Sequence, residues 1–182
     1  MKLEILQNEC LYHIYNRGID GCNIFKHDEN KQYFLNKIKT HLEDTIEIYA
    51  YCLMDNHFHF LIKILNEDKV VQKLSNVFNG YAKALNKQEN RTGSLFEKHF
   101  KRIKLENEIY LKNLIIYIHR NPKHHLDLNF EDYRFSSYQA FLSEKKTKLE
   151  RAKVIELFSD KANFINSHKI TSDILTENYT LE

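Results

Sequence analysis

The sequence predicts an α+β fold of ferredoxin-like order, βαββαβ, in which an antiparallel sheet carries two helices on one face. Three observations lead there. Residues 11–15, 46–53, 57–64 and 95–105 read as short extended runs rich in aromatic and β-branched residues. Helical spacing of apolar residues takes over at residues 28–42 and 68–86, and only Asp55-Asn56 separates the second and third extended runs, as in a hairpin.

Each element has its own signal. The first strand, residues 11–15, closes at the turn-like Asn16-Arg17-Gly18, and Gly21 extends the loop. Asp28 or Glu29 opens the first helix, whose Tyr33, Phe34, Ile38 and Leu42 follow helical spacing. Residues 46–53 alternate in part, and residues 57–64 set Phe58, Phe60, Ile62 and Ile64 on one face. Asp68 is placed to cap a second helix whose stripe runs Val70, Val71, Leu74, Val77, Phe78, Tyr81 and Leu85, ending near Asn86. Gly93 punctuates the polar connection to the fourth strand, residues 95–105. A third helix begins at Glu106 or Asn107, carries Ile109, Tyr110, Leu114, Ile115, Tyr117 and Ile118, and is expected to stop at the single proline, Pro122. A Tyr/Phe/Ser-rich segment follows, then two short helices around residues 149–158 and 160–168 and a polar tail. The expected organisation is a domain over residues 1–142 with a helical C-terminal extension over residues 143–182.

Composition narrows the function classes. A chain of 182 residues with 42% hydrophobic content suits one domain with decoration. Its apolar runs fall far short of the ~20 residues that cross a bilayer. The amino-terminal segment carries Glu4 and lacks the apolar core and cleavage site of a secretory signal, so the expectation is a soluble, cytoplasmic protein with no membrane partner. Cys10, Cys22 and Cys52 are odd in number and scattered, which points to neither a disulfide framework nor a thiolate zinc site. A net charge of +2 does not by itself identify a nucleic-acid partner. Local clustering says more: Lys98, Lys101, Arg102 and Lys104 lie among Phe96, Phe100 and Ile103, a combination suited to phosphate contact and base stacking. A solvated basic strand edge explains the same run equally well. Arg17 likewise reads as a phosphate contact or as a solvated cation.

The chemistry centres on His57-Phe58-His59. Residues two apart on a strand point to one face, so the two imidazoles are neighbours, while Phe58, Phe60, Ile62 and Ile64 point to the helix-covered core. Two imidazoles can hold a borderline divalent cation but need a third ligand, and an isolated pair of this kind carries no site by itself. Tyr117 and Asn121, four residues apart on the third helix, share a helical face. Laid on the open face of the sheet, that stripe brings an amide oxygen to the metal and a phenol beside it. A phenol with a free pKa near about 10 is a weak nucleophile, and a Lewis acid on the target phosphate is one way to compensate. Tyr110 is the rival nucleophile, since it lies seven residues before Tyr117 on the same face. His119 turns away from that face and reads as a packing or DNA-contacting residue. His13 can lie near the site or be a satisfied structural histidine.

Five segments together resemble the REP-associated tyrosine transposases, relatives of the single-tyrosine HUH transposases of the IS200-like superfamily. They are Tyr12-His13-Ile14-Tyr15-Asn16-Arg17-Gly18, Tyr51-Cys52-Leu53-Met54-Asp55-Asn56-His57-Phe58-His59, Gly93-Ser94-Leu95-Phe96, Tyr117-Ile118-His119-Arg120-Asn121-Pro122 and Tyr133-Arg134-Phe135-Ser136-Ser137-Tyr138. The resemblance covers roughly residues 10–142. It implies that His57, His59 and Asn121 hold a divalent metal, Mg²⁺ or Mn²⁺, and that Tyr117 is the nucleophile forming a 5′-phosphotyrosine. The expected partner is single-stranded DNA with hairpin-containing repeats, with Arg17, Phe96, Phe100, Lys101 and Arg102 as candidate contacts. Monomers and homodimers both fit: the short link at Leu105-Glu106-Asn107 lets the third helix fold back onto its own sheet or reach across to a partner, and the long C-terminal extension leans the expectation towards a monomer with its tyrosine in cis. A replication-type HUH nickase and a catalytically idle DNA- or RNA-binding protein are the competing readings.

Overall fold

A computed structural model describes residues 3–170 of the chain, so the polar tail expected after residue 170 lies outside the described residues. In chain order the elements are β1 (Leu11–Arg17), α1 (Asp28–Leu42), β2 (Ile46–Leu53), β3 (His57–Ile64), α2 (Glu67–Gln88), β4 (Lys101–Lys104), α3 (Glu108–Leu126), α4 (Tyr138–Leu142), α5 (Arg151–Leu157) and α6 (Lys161–Ile170). The sheet order is β2-β3-β1-β4 and every neighbouring pair is antiparallel, the ferredoxin-like arrangement that the element order predicts. Among the described residues, no helix is long and apolar enough to cross a membrane.

The pleat of β3 divides the molecule. Phe58, Phe60, Ile62 and Ile64 enter a first core with Tyr12 and Ile14 of β1, Phe34, Ile38 and Leu42 of α1, and Val70, Leu74, Val77, Phe78, Tyr81 and Leu85 of α2. His57, His59 and Leu61 point the other way, and the opposite face is covered by α3, which packs on β2 and β3 of its own chain. There Leu114, Ile115 and Ile118 join Tyr49, Ala50, Cys52 and Leu61 in a second core, completed by Tyr138, Phe141, Val154, Phe158 and Phe164 from α4, α5, α6 and the residue after α5. The helices beyond residue 142 therefore close the second core. Partial alternation in β2 has a cause: its register with β3 shifts between Ile48 and Ala50. One extra residue flips the parity, so Ile46 and Ile48 serve the first core while Ala50 and Cys52 serve the second.

Four boundaries differ from the sequence expectation. Asn66, rather than Asp68, caps α2, its side chain accepting from the Lys69 amide at 3.2 Å. The fourth strand shrinks to Lys101–Lys104, because Leu95 and Phe100 turn into the first core. β1 runs on to Arg17, where Gly18 touches the β2–β3 turn through a 2.8 Å bond to the Asn56 carbonyl; a Cβ at Gly18 would lie 2.0 Å from the Cys22 carbonyl oxygen, so only glycine fits. Most consequentially, α3 does not end at Pro122 but continues to Leu126, closed by left-handed Asp127 with its amide on the Lys123 carbonyl. An interior proline costs about 3 kcal/mol in a helix. The buried run from Leu114 to Pro122, packed on the sheet, outweighs that local cost.

Candidate active site

β3 and α3 bring the four predicted residues together on the second face. His57, His59, Tyr117 and Asn121 are all buried, with Asn121 fully so. His57 Nε2 lies 2.8 Å from Asn121 Oδ1, and the His57 and His59 rings meet edge to face with centroids 5.1 Å apart. Tyr117 stands edge-on to His59 at 5.6 Å. Because α3 lies on its own sheet, this grouping forms within one chain. Tyr110, one step earlier on the stripe, is half-buried against the second core; the seven-residue offset places it about 10 Å along the helix from Tyr117.

Two further side chains orient the histidines. His57 Nδ1 is held 2.7 Å from Asn56 Oδ1, and His59 Nδ1 lies 2.9 Å from Nε2 of His13, its diagonal neighbour across the β1–β3 pair. A partner on one ring nitrogen fixes the tautomer and the ring plane, the usual role of an outer partner behind a metal ligand. His13 is fully buried, and that burial, followed by the adjacent His59, pushes its pKa well below the usual imidazole range. It is therefore neutral and able to share a single proton with His59.

The donor set fits a cation. If Asn56 takes the Nδ1 proton, the bare Nε2 of His57 faces Asn121 Oδ1, lone pair to lone pair. A metal between them removes that conflict. Turning the Asn121 amide over satisfies Nε2 but leaves the amide oxygen facing away from it; as placed, the buried Nδ2 of Asn121 has no hydrogen-bond partner among the described residues. The 2.8 Å separation is also close to the ~3 Å expected between two ligands about 2.1 Å from one ion at a right angle. Among the described residues no group of three His, Cys, Asp or Glu is placed to hold a metal, and the Asn121 amide oxygen is the side-chain donor that lies beside His57.

Continuation of α3 through Pro122 adds two residues that the sequence reading missed. His125 sits edge-on to His57 at 4.9 Å, and the His124 ring is parallel to Tyr117 at 6.4 Å. Their signal was present as i+4 from Asn121 and i+7 from Tyr117, but it is visible only once the helix is allowed past the proline. His119 is a packing residue: its Nδ1 meets His168 Nε2 and its Nε2 meets Ser137 Oγ, both at 2.8 Å.

Of the predicted DNA contacts, the structure separates cations from rings. Phe100 is buried against Phe78, and half-buried Phe96 packs on Phe58, Phe78 and Tyr81, so both rings belong to the first core and are not free platforms for bases. The chain turns inward at residues 95–100 to cover α2, and aromatic side chains follow it. Lys101 and Arg102 lie half-buried on edge strand β4, with the Arg102 guanidinium 4.6 Å from the Phe100 ring. Arg17 is about half exposed and pairs with Glu97.

A ferredoxin-like sheet bearing two neighbouring histidines on β3, covered by a helix bearing tyrosine and asparagine, defines a transposase-like architecture. Residues 6–121 match the family model described as "Transposase IS200 like", and the chain belongs to that family. A solved structure described as "Structure of the REP associates tyrosine transposase bound to a REP hairpin" matches with a TM-score of 0.63 and 15% identity, covering 79% of this chain and 85% of that one; this likeness carries the fold. No curated protein matches the chain.

Proposed function

We propose that the protein cuts and rejoins single-stranded DNA by transesterification, with Tyr117 as the nucleophile. The observation that carries this reading is the convergence of His57 and His59 from β3 with Tyr117 and Asn121 from α3, in a chain of the IS200-like transposase family. Tyr117 Oη attacks the scissile phosphorus. One phosphorus–oxygen bond forms to the tyrosine and the bond to the 3′ oxygen breaks, and the proton given up by the phenol is balanced by the one taken up at the 3′-OH. The ester keeps the bond energy, so a 3′-OH from the same or another strand reverses the step without a nucleotide cofactor. His57, His59 and Asn121 would hold a divalent ion, Mg²⁺ or Mn²⁺, which when bound would supply Lewis-acid polarisation of the phosphate.

The remaining roles fall to the chain itself. Asn56 and His13 fix the two imidazoles. α3 sets the distance from phenol to ligands, because Tyr117 and Asn121 are one helical turn apart. Lys101 and Arg102 on β4, with Arg17 at the end of β1, contact phosphates of a single strand next to a hairpin, and shape rather than base stacking on Phe96 and Phe100 supplies recognition. All four site residues are buried, so strand entry requires a local opening. One chain suffices to assemble the site, which favours a monomer acting in cis; a requirement for a dimer in sedimentation-coupled activity assays would overturn that.

The test is incubation of Mn²⁺-loaded protein with labelled single-stranded DNA carrying the hairpin repeats that flank its coding region. The expected result is a denaturation-resistant adduct. It should disappear with chelator and in His57→Ala and His59→Ala, while DNA binding persists because phosphate contacts carry most of the affinity. Binding without adduct on every such strand would instead identify an idle DNA-binding protein.

A further inference from the structure

On the first-core side of α1, next to Phe34, stands a buried lysine. Lys31 is 7% exposed, at a position where leucine or methionine would pack without a desolvation penalty. Its ammonium is held from several sides. Nζ donates to Asp55 Oδ1 at 2.7 Å and to the Tyr133 hydroxyl at 3.3 Å, and it lies 5.7 Å and 5.1 Å from the centroids of the Tyr133 and Phe135 rings. Asp55 keeps its side chain half exposed, so the pair is not needed to satisfy a buried carboxylate.

The surroundings show what the ammonium ties together. Asp55 and Asn56 form the β2–β3 turn that delivers His57. The Asp55 carbonyl accepts from the Ile24 and Phe25 amides at 2.8 and 2.9 Å, and Asn56 Oδ1 holds His57 Nδ1. Tyr133 donates its hydroxyl to the Leu53 carbonyl at the end of β2, and the Leu53 amide donates to the Phe135 carbonyl. One cation thus pins α1, the turn and the segment 133–135 to a common point two residues before the first histidine. Removing it takes the ammonium from the Asp55 carboxylate and leaves the Tyr133 hydroxyl bonded to the Leu53 carbonyl alone, so the turn loses this side-chain tie to α1 and keeps only its backbone bonds. A ligand shifted by a fraction of an ångström loses affinity even where the fold survives.

We propose that Lys31 is a positioning residue for the metal site: clamped between Asp55 and the Tyr133 and Phe135 rings, it fixes the β2–β3 turn and, through Asn56, the orientation of His57. This rests on the reading of His57 as a metal ligand. The Lys31 ammonium meets Asp55, Tyr133 and Phe135, not the His57 imidazole. It acts on His57 through the turn, as outer partners of metal ligands do when their loss weakens metal binding by roughly 10–100-fold.

The experiment titrates Mn²⁺ into DNA-free protein and follows unbound Mn²⁺ by electron paramagnetic resonance. It compares wild type, His57→Ala, Lys31→Met and Asp55→Asn at a temperature where circular dichroism shows each fully folded. Lys31→Met should raise the Mn²⁺ Kd by about tenfold or more, and Asp55→Asn should raise it in the same direction by less. Lys31→Arg, which restores the cation, should recover part of the loss. If Lys31→Met does not fold, Asp55→Asn and Tyr133→Phe carry the test, each removing one grip on the ammonium. A lowered melting temperature with an unchanged Kd in the clamp variants makes Lys31 purely structural and overturns the proposal, while His57→Ala still abolishes binding. Wild type that fails to bind Mn²⁺, or binds it unaffected by His57→Ala, removes the metal-site reading itself and the clamp with it.

Discussion

The two faces of the sheet are built from the same strands to opposite specifications. On the first, β3 contributes Phe58, Phe60, Ile62 and Ile64 to an aromatic cluster sealed by α1 and α2. On the second it contributes His57 and His59, and the covering helix adds buried His119, Arg120 and Asn121. Polar groups on a buried face are costly unless each finds a partner; several here meet Asn56, His13, Ser137 or His168, while Asn121 Nδ2 has no hydrogen-bond partner among the described residues. The first face is thus apolar where β3 meets it, whereas the second combines an apolar core with a group of buried polar side chains. Substitutions that separate the two faces test this division.

The largest effect is expected at Tyr117. Tyr117→Phe should remove the covalent adduct and strand joining to background, with little change in packing volume and hence in melting temperature. An adduct at wild-type level in that variant, measured by denaturing electrophoresis, would reassign the nucleophile. On the opposite face, Phe58→Ala should cost about 3–5 kcal/mol of unfolding free energy, because the ring is fully buried among Phe34, Phe60, Phe78 and Phe96. Urea unfolding showing under about 1 kcal/mol would mean that the first core collapses around the gap.

A smaller effect tests the buried polar face by pH. Burial lowers the His168 pKa to about 4, against an unfolded value of 6.5. Above pH 6.5 the ring is neutral in both states. As pH falls from 6.5 towards 4 the unfolded chain takes up a proton that the folded chain refuses, so stability falls through that window and levels off below it. A shift of this size corresponds to on the order of a few kcal/mol, and His119, also held well below the usual range by burial and by His168, adds to it in the same direction. His168→Phe should flatten the slope of urea midpoint against pH between 6.5 and 4; an unchanged slope would place the acid sensitivity elsewhere. The smallest effect is expected at Tyr110. Tyr110→Phe should leave adduct formation near wild type, and loss of the adduct there with retention in Tyr117→Phe would invert the assignment of the two tyrosines.

What the sequence by itself determined was everything that periodicity carries. The period-two pattern of residues 57–64 placed His57 and His59 together and opposite Phe58 and Phe60, and the four-residue spacing placed Tyr117 with Asn121, since both follow from backbone geometry alone. Element order was enough for the βαββαβ topology. Only the tertiary structure decided which features depend on surfaces meeting. Packing carried α3 through Pro122 against local propensity and so brought His124 and His125 to the site. Long-range pairing set His13 behind His59, which no local spacing reveals. Phe96 and Phe100 read as a nucleic-acid surface in a linear run with lysines, yet they pack with Leu95 against Phe58 and Phe78, where burial of apolar area favours them. A sequence states which side chains share a face, but which face is buried, and against what, is fixed only when distant elements compete for the same apolar surface.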